Sequence, residues 1–150
     1  MAARARPAAS LILLCRNASG QALVFMGRRN ASLKFLPGYL VFPGGRVERQ
    51  DYATSQAPLD LACGTVLDAE LGGIGGMSAT AYANAALREC AEETGLDAER
   101  HLAAPLRYIA RAITPPRFPI RYDTRFFLGT LANSQLPARI ASGDGELVSP

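Results

Sequence analysis

The chain has 150 residues, of which 49% are hydrophobic, 19% are charged, three are cysteine and one is histidine, with a formal net charge of +3. That is one domain's worth of chain with enough apolar residues to bury a core, which excludes a disordered tail. The arginine excess is mild and scattered without interleaved aromatics, so it does not describe a nucleic-acid surface, and it suits an anionic small molecule equally well.

Arg4 and Arg6 precede an apolar run, Ala8 to Leu14. The run superficially resembles a secretion signal but is short and lacks a small-residue cleavage site, so it reads as a first strand. No run reaches the 18 or more apolar residues of a membrane span. Ser10–Cys15 and Gln21–Met26, joined by Asn17-Ala18-Ser19-Gly20, form an antiparallel hairpin. Arg28 and Arg29 follow, either as surface charge or as bidentate partners for phosphate.

Leu40-Val41-Phe42 leads into Pro43-Gly44-Gly45, read as a tight loop whose glycines let the backbone approach a ligand or turn a carbonyl to a metal. In the next stretch, Pro58–Leu71 has the apolar spacing of a short helix and Gly72–Gly76 that of a flexible linker. No Lys-Ser/Thr follows these glycines, which excludes a phosphate loop. The stretch is expected to be dispensable for folding, because a long surface insertion adds little closure entropy.

Ser78 caps a helix running to about Thr94, with Gly95 after its end. Ala79, Ala83, Ala86, Leu87, Cys90 and Ala91 make its packing face. Glu89, Glu92 and Glu93 stand at i, i+3 and i+4, so three carboxylates share another face. They are either a solvated acidic surface or a site for a hard cation such as Mg²⁺ or Mn²⁺. Cys90 has no histidine partner, since the one histidine, His101, lies beyond the helix, so no nucleophilic role follows. The odd cysteine count, without CxxC spacing, suggests neither a disulfide framework nor zinc and fits a reducing cytoplasm.

Leu106–Ala112 reads as a strand stopped by Pro115-Pro116, and Arg121–Thr130 as a second. In the second, Arg121, Asp123, Arg125 and Phe127 share one face and Tyr122, Thr124, Phe126 and Leu128 the other. The charged face lines a substrate cleft, or Asp123 pairs with arginines of the neighbouring strand. Gly143–Val148 suggests a turn into a last strand.

Arg88-Glu89-Cys90-Ala91-Glu92-Glu93-Thr94-Gly95-Leu96 resembles the second half of the Nudix box, G-x5-E-x7-R-E-U-x-E-E-x-G-U, with U aliphatic and Gly45 as the opening glycine. Gly45 and Arg88 lie 43 positions apart where the pattern has 14, so about 29 residues interrupt it, within roughly residues 46–77. Counting back eight from Arg88 reaches Thr80, so the first box glutamate is missing at that spacing. The interruption, Phe42–Glu48 and Arg121–Leu128 are similar to a Nudix branch resembling the peroxisomal-type coenzyme A diphosphatases.

The resemblance implies a single Nudix domain over 1–150 with an α/β (α+β) fold, an α/β/α sandwich on a mixed sheet. The chain is short for that fold and is expected to be truncated at its C-terminus. It also implies an Mg²⁺- or Mn²⁺-dependent diphosphatase. Glu89, Glu92, Glu93 and a carbonyl of Gly45 would hold the metal, Arg88 would orient the glutamates, and Arg28, Gly44, Gly45, Arg121 and Arg125 would meet substrate. The resemblance leaves the general base unassigned, with Glu146 or another carboxylate able to serve. The implied partner is a nucleotide diphosphate, led by coenzyme A or an acyl-coenzyme A, with ADP-ribose or a nucleotide sugar as the alternative. The scattered charge, the cysteine usage and the lack of a long apolar run point to neither a specific nucleic acid nor a membrane and to the cytoplasm, and a homodimer is admitted. A non-catalytic nucleotide-binding Nudix module is the rival.

Overall fold

The structure is a computed structural model and describes residues 3–33, 36–52, 57–72, 77–132 and 147–148. In chain order it contains β1 (Arg6–Arg16), β2 (Ala22–Val24), β3 (Gly27–Arg29), β4 (Leu40–Val41), β5 (Gly44–Arg46), α1 (Leu61–Leu71), α2 (Ala79–Thr94), β6 (Arg107–Ile113), β7 (Tyr122–Thr130) and β8 (Leu147–Val148). Residues 73–76 of the glycine linker and the turn at 143–146, with Glu146, lie outside the described residues.

β1 organises the sheet. It runs parallel to β7 from Arg6↔Tyr122 to Leu14↔Thr130. Along its other edge it pairs antiparallel with β5 through Ala8–Ser10 and with β2 through Leu14–Arg16. β6 lies antiparallel on the outer side of β7, and β4, β3 and β8 make a small second sheet. The mixed α+β class expected from the sequence is what forms. The β1–β2 turn is built by Asn17, whose Oδ1 accepts the N–H groups of Ser19 and Gln21. Gly20 supplies the positive φ of 82° that closes it.

Leu11, Leu13 and Cys15 point from β1 into the core beneath α2, each no more than 2% exposed. α2 starts where the capping serine places it, with Ser78 Oγ accepting Ala81 N–H, and it ends at left-handed Gly95. Ala79, Ala83, Ala86, Leu87 and Cys90 are buried as expected, whereas Ala91 faces solvent. Ala81, Tyr82 and Ala85 are buried as well, so the first half of the helix is covered on two sides.

The second cover is α1, and it corrects the expectation of a dispensable insertion. Leu67 and Leu71 are 0% and 5% exposed within the main core cluster. Asp60 caps α1 through Cys63 N–H, and Asp68 near its end accepts Ala79 N–H at the start of α2. Among the described residues no helix is long and apolar enough to cross a membrane.

Candidate active site

Pro43-Gly44-Gly45 does not make the expected loop, because Gly44–Arg46 is a strand hydrogen-bonded to β1. Both glycines are needed for close approach rather than for a turn. A Cβ on Gly44 would lie 2.4 Å from the Ala9 carbonyl oxygen, and one on Gly45 would lie 2.4 Å from Glu89 Oε1. α2 is thereby drawn against β5, and Glu93 fastens the two by accepting Gly44 N–H at 2.9 Å.

Arg88 is the hub. Its Nε and Nη2 reach the two Asp51 oxygens at 2.9 and 3.1 Å. Nη2 also donates to Arg46 O, and Nη1 to Glu89 Oε1 and Glu92 Oε2, each at 2.9 Å. All five guanidinium N–H groups are used. The bond to Asp51 first, with the charge of Glu89 behind it, holds the guanidinium above its ordinary pKa against the opposing effect of burial. One turn earlier Asn84 donates to Asp51 O and accepts Ala57 N–H, so α2 grips the chain on either side of residues 53–56.

Asp51, 2% exposed, is the residue that counting back from Arg88 missed. Five residues separate it from Gly45, which is the spacing of G-x5-E, so Asp51 occupies the first acidic position with one methylene fewer. Counting forward from Gly45 would have found it. The interruption therefore begins after Asp51, not at Arg46.

These residues form one wall of a cleft of about 780 Å³. Gly44, Gly45, Glu48, Arg88, Glu89 and Glu92 line its polar side, and Ile113, Phe118, Tyr122 and Phe126 its apolar side. Glu93 is 1% exposed and turned onto β5. Among the described residues no three His, Cys, Asp or Glu side chains are gathered where they could hold a metal ion. Two cleft-facing carboxylates still fit a hard cation. Mg²⁺ is ordinarily held by one or two carboxylates together with water and substrate phosphates, and the Glu89 carboxylate sits against Gly45 in the place a Cβ there would take.

Three expected substrate contacts fall elsewhere. Arg28 is exposed and donates to Gly38 O, while its neighbour Arg29 lines the cleft, as alternation along β3 requires. Arg125 is 3% exposed, paired with Asp123, 3.7 Å from Glu70 and stacked 5.2 Å over the Tyr82 ring. Asp123 also binds Arg111 of β6 with both oxygens at 2.8 Å. Of the two readings of β7, the ion-pair reading holds, and it is the Tyr122, Thr124 and Phe126 face that lines the cleft. Arg121 lies beside the cleft, donating to Thr114 O and Ala3 O. Cys90 is buried and its thiol is pushed up to about 12, chiefly by desolvation, consistent with a packing role.

A helix carrying this arginine-centred acid cluster, packed against a glycine strand on a mixed sheet, gives the chain the fold of solved Nudix hydrolases. No family model and no curated protein matches the sequence. The solved structures it is similar to include a Nudix hydrolase from Alicyclobacillus acidocaldarius, 25% identical over 96% of this chain and 76% of that one, with a TM-score of 0.66. A MutT/nudix family protein from Enterococcus faecalis is 18% identical over 99% and 43%, with a TM-score of 0.58. The NUDIX domain of Shewanella oneidensis NrtR complexed with ADP ribose is 13% identical over 98% and 74%, with a TM-score of 0.56.

Proposed function

We propose that the protein hydrolyses a nucleoside diphosphate linked to another moiety, using Mg²⁺ or Mn²⁺. The observation that carries this reading is Arg88, whose Nη1 presents Glu89 and Glu92 together to the cleft while its other donors are locked on Asp51 and Arg46. Glu89 and Glu92 would hold the ion, with Gly45 beside them. Glu93 fixes the distance between helix and strand and acts as a positioning residue. Such an ion, when bound, neutralises phosphate charge and makes a bound water more acidic. The remaining work belongs to the chain: Arg88 pre-orients the carboxylates, and the cleft holds the leaving moiety against its aromatic side.

Coenzyme A or an acyl-coenzyme A is the leading substrate. The interrupted box and Arg121–Leu128 support it, as does a cleft large enough for a ligand of that class. ADP-ribose is the second reading, favoured by the similarity to a domain seen with ADP ribose.

The test is a panel of diphosphate-linked nucleotides assayed with Mg²⁺, with Mn²⁺ and with EDTA. Metal-dependent turnover of at least one compound is expected, with kcat for Glu92→Gln lower by about a hundredfold or more and an unchanged circular dichroism spectrum. A Glu92→Gln rate equal to that of the parent would reject the assigned role.

A further inference from the structure

Every arginine that touches the cleft wall or the Asp123 cluster through a described ion pair has an acid beside it: Arg46 has Glu48, Arg88 has Asp51, Arg111 and Arg125 have Asp123. Arg4 and Arg6 differ. Among the described residues their side chains have no ion pair and no hydrogen bond. With Arg121 they surround a recess of about 360 Å³ whose lining holds three arginines and no acid. Arg4 and Arg6 are exposed and Arg121 is half-buried, so the recess offers an anion three cations with no competing acid. The recess is also built: Arg121 Nε donates to Thr114 O at 2.9 Å and its Nη1 to Ala3 O at 2.6 Å, which ties the two walls.

The recess and the cleft are lined by chain neighbours, Pro7 beside Ala8, Pro119 beside Phe118 and Arg121 beside Tyr122. Arg6 precedes Ala8 and Ser10 by two and four residues on β1, and both of those line the cleft, so the period of a strand puts Arg6 on the same face. Its partner in register, Tyr122, lines the cleft too. Gly45, against the Glu89 carboxylate, pairs with Ala9. Arg6 is three residues further along β1, a separation of roughly 10 Å. Along this stretch Tyr122 and Thr124 lie in register with Arg6 and Ala8 and line the cleft together with Phe118, a surface for a sugar and a base rather than for a continuous polyphosphate.

Building on the diphosphatase reading, we infer that the recess bounded by Arg4, Arg6 and Arg121 takes a phosphomonoester on the substrate's nucleoside, so that the preferred substrates are nucleoside diphosphates bearing this extra phosphate. The chemistry is shared by a 3′-phosphate, as in coenzyme A, and a 2′-phosphate, as in 2′-phosphorylated ADP-ribose.

The experiment compares coenzyme A with dephospho-coenzyme A, and ADP-ribose with its 2′-phosphate, in the parent and in an R4A/R6A double variant. The parent is expected to favour the phosphorylated member of one pair by about tenfold in kcat/KM, the scale of a charge-assisted contact. The pair that shows the preference names the position of the phosphate. The double variant should lose that preference while its rate on the unphosphorylated member changes less than about twofold. Equal losses on both members, or no preference in the parent, would overturn the inference, as would diadenosine tetraphosphate showing the same sensitivity to R4A/R6A. Calorimetry in EDTA separates this from the catalytic reading. Adenosine 3′,5′-bisphosphate and adenosine 2′,5′-bisphosphate are each compared with adenosine 5′-monophosphate. Tighter binding of a bisphosphate that R4A/R6A abolishes supports the recess even if nothing is turned over, and equal binding of all three rejects it.

Discussion

A methyl group at Gly45 would land 2.4 Å from the Glu89 carboxylate, whereas one at Gly44 would land 2.4 Å from the backbone oxygen of Ala9. The first neighbour is the end of a side chain and can swing away; the second is held in the β1–β5 ladder. Gly45→Ala should therefore cost about tenfold or more in kcat with little loss of stability, because the displaced carboxylate is a cleft group. Gly44→Ala should unpick the strand and lower the melting temperature. A thermal melt and a rate assay on both variants check this, and a Gly45→Ala enzyme at full rate would contradict it. Asp51→Ala leaves Arg88 without its bidentate partner at a site where Asp51 is 2% exposed. A loss of about 3 kcal/mol in urea unfolding is expected, with turnover falling as Glu89 and Glu92 lose their orientation. The glutamates and Arg88 were legible because their spacing is a property of one helix. Asp51 was hidden because 36 residues, rather than seven, separate it from Arg88, so the pair exists only in space.

Among the elements, α2 could be read from its capping serine and closing glycine, both local signals. α1 could be read as a helix but not as a core element: its pattern is short, and Leu61 and Val66 remain 88% and 61% exposed. What the pattern does not encode is the surface that covers Leu67 and Leu71, which α2 provides. Leu67→Ala should cost about 3 kcal/mol, measured by urea unfolding, and a cost below about 1 kcal/mol would restore the view of α1 as a peripheral insertion. β7 was legible as a strand with two faces, yet alternation alone cannot say which face meets the cleft. Arg111 on β6 and Glu70 on α1 decide it, by drawing Asp123 and Arg125 to the helix side.

Across the whole molecule that ion cluster ties α1 to β6 and β7, and it carries a pH signature. Burial works to raise the Asp123 pKa, but its bonds to Arg111 and Arg125 outweigh burial and leave it below the ordinary 3.8. A depressed carboxylate contributes stability that is fully present above its unfolded value and is lost as pH falls through the folded one. The stability gap between the parent and Asp123→Asn should be constant from neutrality to about pH 5 and should shrink below pH 3.8, as urea midpoints at pH 3 to 7 would show. A gap that widened on acidification would mean that the cluster is not held by ionised Asp123. The parallel pairing of β1 with β7 has a consequence in time as well. Arg6 and Tyr122 are register partners separated by 115 residues of chain, and at about 5–20 residues per second a ribosome needs on the order of ten seconds to connect them. Throughout that interval β1 can hold its β2 and β5 edge but not its β7 edge. The central strand of the finished fold is thus an apolar segment with one edge open until β7 is made, and the interval is when a chaperone has most to gain from binding it.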